Sequence, residues 1–194
     1  MDTPTPLFSS DRERRLWRWT LAVVVAIYST LGLAATLVWA LRDRGLVDSF
    51  FFFCFLLVGA TILTQGLKTR PGGAEIGVAL GVAAAYLLVF ARMSIPAAER
   101  THLIEYGVVA VFIYEALVER VSQGRRVPRP ALLAVLATSL VGVLDECIQA
   151  VLPSRVFELR DILFNVLAAV MAVAAMVALG WARRWTGRAR RPDK

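Results

Sequence analysis

The chain has 194 residues, 58% of them hydrophobic, and a formal net charge of +7; its mean hydropathy is +0.62. A water-facing surface needs more charge than this composition supplies, so a soluble domain is excluded and the membrane class comes first. The basic residues fall between and outside the apolar runs, as membrane proteins distribute them, so no nucleic-acid partner is expected. A spanning helix needs about 20 mostly apolar residues, and six segments qualify or nearly qualify. The first, Trp17 to Leu41, follows Arg12, Arg14, Arg15 and Arg18. It is too long for a signal-peptide core and lacks a clear cleavage site, so it reads as a retained span. The second runs from Leu46 to Leu67 and includes Phe50 to Phe53. The third, Ala74 to Met93, is rich in Gly and Ala and suits close helix packing. The fourth, Thr101 to Val121, is the least apolar; the fifth, Arg129 to Leu152, is entered through Pro128 and Pro130; the sixth runs from Leu159 to Trp181.

The breaks carry turn and helix-stopping residues: Arg42 to Gly45, Lys68 to Gly73, Ser94 to Arg100, Ser122 to Pro130 and Leu152 to Arg155. The expected fold is therefore all-α, a polytopic bundle of about six transmembrane helices. Arg and Lys concentrate before the first span, around Arg120 to Arg129 and after Trp181, which places both termini in the cytoplasm. The chain then divides into a cytoplasmic segment (1–16), three helices without a recognised motif (17–98), a three-helix region (99–181) and a basic cytoplasmic stretch (182–194). Cys54 and Cys147 both sit in apolar runs and read as small buried hydrophobes rather than a disulfide framework. Glu115 is expected to pair with a basic residue, Glu119 to be interfacial and Glu75 to be solvated.

The topology gathers the polar residues of the last three spans at one depth, in the outer leaflet. His102, Glu105 and Tyr106 share a face at i, i+3 and i+4. Asp145 and Gln149 share another, with Glu146 beside them, and Asp161 and Asn165 a third. Arg155 lies in the short connection between the fifth and sixth spans. Each charge at the centre of a bilayer costs about 2.5–3.5 kcal/mol even on the insertion scale. The acids must therefore face inward or a water-filled cleft, and be paired or partly protonated. His102, Glu105, Tyr106, Asp145, Glu146, Gln149, Arg155, Asp161 and Asn165 form the candidate ligand site. The plain alternative is a set of hydrogen bonds that locks the helices together.

These residues resemble the VanZ-like family of bacterial membrane proteins. The resemblance rests on His102 with Glu105-Tyr106-Gly107, on Asp145-Glu146 with Gln149, on Pro153 with Arg155, and on Asp161 with Asn165. It covers roughly Glu99 to Val173 and implies a multi-pass protein of the bacterial inner membrane with a cell-envelope role, linked to glycopeptide resistance of the teicoplanin type. The family brings no established chemistry.

Two function classes follow. In the first, an accessory or binding protein holds a lipid-linked or peptidic cell-wall component, with Arg155 suited to a phosphate or carboxylate. In the second, an intramembrane enzyme uses His102 as acid or base, oriented by Glu105. A divalent metal held by His102, Asp145, Glu146 and Asp161 would serve hydrolysis or transfer on a lipid-linked phosphate. The sequence has no nucleophile elbow, no HExxH and no phosphate-cradling glycine loop. A third reading is a small subunit or assembly partner of a larger membrane complex.

Overall fold

A computed structural model of the chain describes residues 6–46, 49, 72–92, 101–152 and 157–189. Five helices are defined among them: α1 (Asp11–Asp43), α2 (Gly73–Arg92), α3 (Thr101–Ser122), α4 (Pro130–Gln149) and α5 (Leu159–Ala189). The described residues contain no strand, so the protein is all-helical there. The second expected span, with Cys54, lies almost entirely outside the described residues, and Pro153 and Arg155 lie outside them as well. Among the described residues, two helices are long and apolar enough to cross a membrane: Pro130–Gln149, with a mean hydropathy of 2.0, and Leu159–Trp185, with 2.6. Gly73–Val89 is a shorter apolar helix. The chain divides into two compact units, one of Met1–Leu31 with Ser94–Val177 and one of Gly32–Met93 with Ala178–Lys194.

The first unit begins with a capped helix. Ser10 Oγ accepts the Glu13 amide at 3.0 Å, and the Glu13 carboxylate reaches back to the Ser9 amide at 2.7 Å and hydroxyl at 2.5 Å. This is a capping box whose returning carboxylate lands one residue further upstream than usual. It starts α1 at Asp11, ahead of the apolar run that begins near Trp17.

The same turn is clamped to the end of α3. Arg12 spans Glu115 and Glu119, each at 2.6 Å. Ser10 Oγ donates to Glu119 at 2.8 Å, and Arg120 pairs with Glu13 at 3.0 Å. Arg125 donates to the Pro6 carbonyl at 2.8 Å. The expected basic partner of Glu115 is thus Arg12, and Glu119 belongs to the same clamp.

Burial by itself would raise the Glu13 carboxyl. The Ser9 hydroxyl and amide, Arg120 and the Trp17 indole outweigh it and hold the group below the usual carboxylate range. A depressed carboxylate stabilises the fold fully above its unfolded pKa of about 4.3, and the contribution is lost as pH falls below that through the folded value. The melting-temperature gap between wild type and Glu13→Gln is therefore expected to be full at neutral pH and to close in strong acid. A gap unchanged across that range would refute the assignment.

The loop after α3 explains why α4 turns back alongside it. Arg125 N donates to Arg120 O and Gly124 N to Val121 O, with Gly124 at φ +79°, the Schellman pattern. Arg129 then adopts a left-handed conformation (φ 46°, ψ 63°) before Pro130 at the first helical position. Proline clashes with an α-helical residue before it, so the helix can begin only there. The start of α1, the end of α3 and the start of α4 therefore share one end of the unit.

Its core is formed by Ile27, Val109, Ala110, Ile113 and Ala134 with Ala169, Ala172 and Val173. The small residues of α5 let its backbone come close to its neighbours. Beside this apolar core, α4 and α5 bury polar groups and turn leucines outward. Leu132, Leu136, Leu140, Leu144 and Ile148 of α4 are exposed, as are Leu159, Leu163 and Leu167 of α5. Buried instead are Thr138, Asp145, Glu146, Gln149, Asp161 and Asn165.

In the second unit, the Arg183 guanidinium meets Glu75 at 3.1 Å. Glu75, expected to be solvated, is in fact the acidic end of an ion pair, its side chain only 19% exposed. The arginine lies near the end of the apolar run of α5, and Glu75 in the first turn of α2. Trp181 and Trp185 stack on each other, ring centroids 5.7 Å apart.

Candidate functional site

Three helices bring the polar side chains to the end of the first unit opposite the clamp. The buried residues of α4 are Ala134, Thr138, Gly142, Asp145, Glu146 and Gln149. Steps of three and four put them on one face, with the leucine stripe on the other. Glu146 and Asp145 follow each other in sequence yet both fit this face, because it is about 100° wide. From α3 come His102, at 8% exposure, and Tyr106, fully buried; Glu105 is half-buried at the edge. From α5 come Asp161 and Asn165. Of the expected ligand residues, only Arg155 lies outside the description.

His102 Nδ1 stands 3.2 Å from Asn165 Oδ1. With that oxygen as acceptor, Nδ1 carries the ring proton and Nε2 is the nitrogen left for other chemistry. The partner that orients the imidazole is therefore Asn165 of α5 rather than Glu105 of its own helix. Glu105 sits three residues on, in the first turns of α3 and in the electrostatic field of Tyr106. The His102 and Tyr106 rings lie parallel within 2°, centroids 5.9 Å apart, as i, i+4 neighbours on α3.

Gln149 bridges the two adjacent acids. Its amide nitrogen donates to Asp145 Oδ2 at 3.3 Å and to Glu146 Oε1 at 3.1 Å. Both amide protons are thereby used. The second oxygen of Glu146 accepts the Glu158 backbone amide at 3.0 Å. Glu158 immediately precedes α5, so this carboxylate sits at a helix N-terminus, where orphan amides and the dipole favour negative charge. Asp145, Asp161 and His102 lie within its electrostatic reach.

Sequence reasoning missed two contributors. Tyr28 of α1 donates to the Val141 carbonyl at 2.8 Å and lies in the field of Asp145. Tyr106 interacts with the same carboxylate, so phenols from two helices flank Asp145. A tyrosine inside a long apolar run carries no local signal of this role. Gly142 is the second. A Cβ built on it would stand 2.8 Å from Asn165 Cβ and 2.9 Å from Asn165 Nδ2. Only glycine lets α4 and α5 approach this closely at the site. Asn165 Nδ2 and Thr138 Oγ1 are buried without a hydrogen-bond partner among the described residues.

Two expectations change. Among the described residues, no three His, Cys, Asp or Glu side chains converge to hold a metal ion, so His102, Asp145, Glu146 and Asp161 do not close on one point. Gln149 and the Glu158 amide already take up three of the carboxylate oxygens. Cys147 is exposed rather than buried, because it falls outside the polar stripe that its neighbours Asp145 and Glu146 share. Comparison with protein-family models, with curated proteins and with solved structures finds no match to this chain.

Proposed function

We propose that this chain is a multi-pass bacterial inner-membrane protein of VanZ-like type, with about six spans and the basic end of the bundle in the cytoplasm. Its polar site would then open toward the outer leaflet and hold a cell-envelope ligand. One observation supports this above the others. Charged and amide side chains from α3, α4 and α5 are buried together at one end of the unit, while the same helices expose leucine on their other sides. Lipid is the solvent that tolerates such a surface. Ionisable groups grouped at one depth in lipid mark a functional site by default. The ligand in this reading is a lipid-linked or peptidic cell-wall component, and a role in glycopeptide resistance follows from the resemblance of His102 to Asn165 to the family pattern.

The test is native mass spectrometry of the detergent-purified protein, wild type beside Asp145→Asn/Asp161→Asn. A lipid-linked species that co-purifies with wild type and is lost from the variant is the expected result. If nothing co-purifies and the variant only melts at a much lower temperature, the cluster is a structural lock and the protein is an assembly partner.

A second reading is favoured by the way Asn165 fixes the imidazole. His102 Nε2 would then serve as acid or base in hydrolysis or transfer on a lipid-linked phosphate. Turnover of such a phosphate by wild type, abolished in His102→Gln, would select this reading.

A further inference from the structure

The apolar run of α5 is 27 residues long, or about 40 Å at 1.5 Å per residue. That exceeds the roughly 30 Å hydrocarbon core, so the helix is long enough to cross it and carry its last turns to headgroup level. Trp181 and Trp185 stand there, 57% and 60% exposed. They stack on each other with 12° between the ring planes. Indoles combine a large apolar body with one N–H donor and collect at membrane interfaces.

The two arginines beside them differ. Arg183 is held by Glu75. Arg184 has no acidic partner among the described residues. Its side chain folds back along the helix, and Nη1 would stand 3.7 Å from a Cβ built on Gly180. The missing side chain at Gly180 leaves a flat strip on which the guanidinium lies, one residue from Trp181. The sequence continues with Arg188, Arg190, Arg191 and Lys194 against one acid, Asp193.

We propose that Arg184, with the indole N–H groups of Trp181 and Trp185, binds the phosphate of an anionic phospholipid in the leaflet at the C-terminal end of α5. A planar guanidinium matches phosphate oxygens in pairs. The uncompensated positive charge selects anionic over zwitterionic lipid. This inference rests on the membrane-spanning reading of α5, and it is independent of any ligand at the His102–Asn165 end.

The test uses full-length protein reconstituted in equal parts phosphatidylcholine and phosphatidylglycerol, then released for native mass spectrometry. Wild type is expected to retain phosphatidylglycerol in preference. Arg184→Gln should cut that preference about five-fold, the worth of one cation near an anionic surface. Arg184→Lys should fall between, keeping the charge and losing the fork. Arg14→Gln, an exposed arginine already paired with Asp11, should match wild type. Arg184 is exposed, so its replacement should leave helicity and melting temperature unchanged. Three results would overturn the proposal: a wild type without lipid preference, an Arg184→Gln that keeps the full preference, or a preference abolished by added inorganic phosphate. A protein that fails to enter the bilayer at all would instead refute the membrane-spanning reading.

Discussion

Gly142→Ala is expected to destabilise the protein and to release His102 from Asn165. The new methyl would stand 2.8 Å from Asn165 Cβ, an atom fixed to the α5 backbone that cannot swing aside. Either α4 and α5 separate or Asn165 moves as a whole. Overpacking of this kind costs about 1–3 kcal/mol, and the better helix propensity of alanine offsets at most about 1 kcal/mol. Thermal unfolding of the detergent-solubilised protein measures the loss. The companion test is Asn165→Gly in the Gly142→Ala background. Removing the opposing Cβ should restore part of the packing, so the double variant should melt above Gly142→Ala. The imidazole would still lack its Asn165 partner, so its NMR tautomer signature should stay altered. If Gly142→Ala melts at or above wild type, the close approach is not real.

Glu146→Ala is expected to be the more damaging change. It withdraws the acceptor of the Glu158 amide at the start of α5 and one of the two acceptors of Gln149. A buried donor left without a partner costs about 1–3 kcal/mol. The vacated side-chain volume adds a cavity term. Removing a buried carboxylate also relieves its desolvation, which works the other way. Relief of repulsion from Asp161 and Asp145 works in the same direction, so the expected loss rests on the orphaned Glu158 amide and the cavity together. Glu146→Gln should be milder, since its carbonyl still accepts the Glu158 amide while its NH2 opposes that of Gln149. The expected order of melting temperature is wild type, then Glu146→Gln, then Glu146→Ala. An alanine variant as stable as the glutamine variant would show that the amide contact carries no weight.

The site was legible in the sequence as a set of positions and illegible as a set of contacts. Charge inside an apolar run is costly, so Asp145, Glu146 and Asp161 had to face inward. Helical spacing then placed His102, Gln149 and Asn165 near them. Spacing says which face a residue shares, but not which neighbour on another helix it meets. For that reason Glu105, on the same helix as His102, looked like its partner, and Asn165 is the one that bonds it. Gly142 carries no local signal of its role, which rests on its closeness to Asn165. Cys147 illustrates the opposite error: an apolar neighbourhood in sequence does not bury a residue whose angle on the helix points away from the core. The clamp between Arg12 and the end of α3 has the same origin. The Ser10-to-Glu13 cap is written locally, but its tie to Glu115 and Glu119 exists only in the folded chain.

Glu146 links α4 to the first residues of α5, and that contact bears on how the protein is made. In the membrane-spanning reading, α4 meets Tyr28 and Tyr106 of helices made before it, beside Asp145, but its Glu146 still lacks the Glu158 amide. The Glu158 amide and the Asn165 side chain arrive only when α5 has been synthesised. Each unshielded acid deep in the bilayer would cost about 2.5–3.5 kcal/mol during that interval. The two helices are therefore suited to leave the insertion machinery as a hairpin. The glycine-to-asparagine contact closes their polar faces against each other as both turn their leucines outward to lipid.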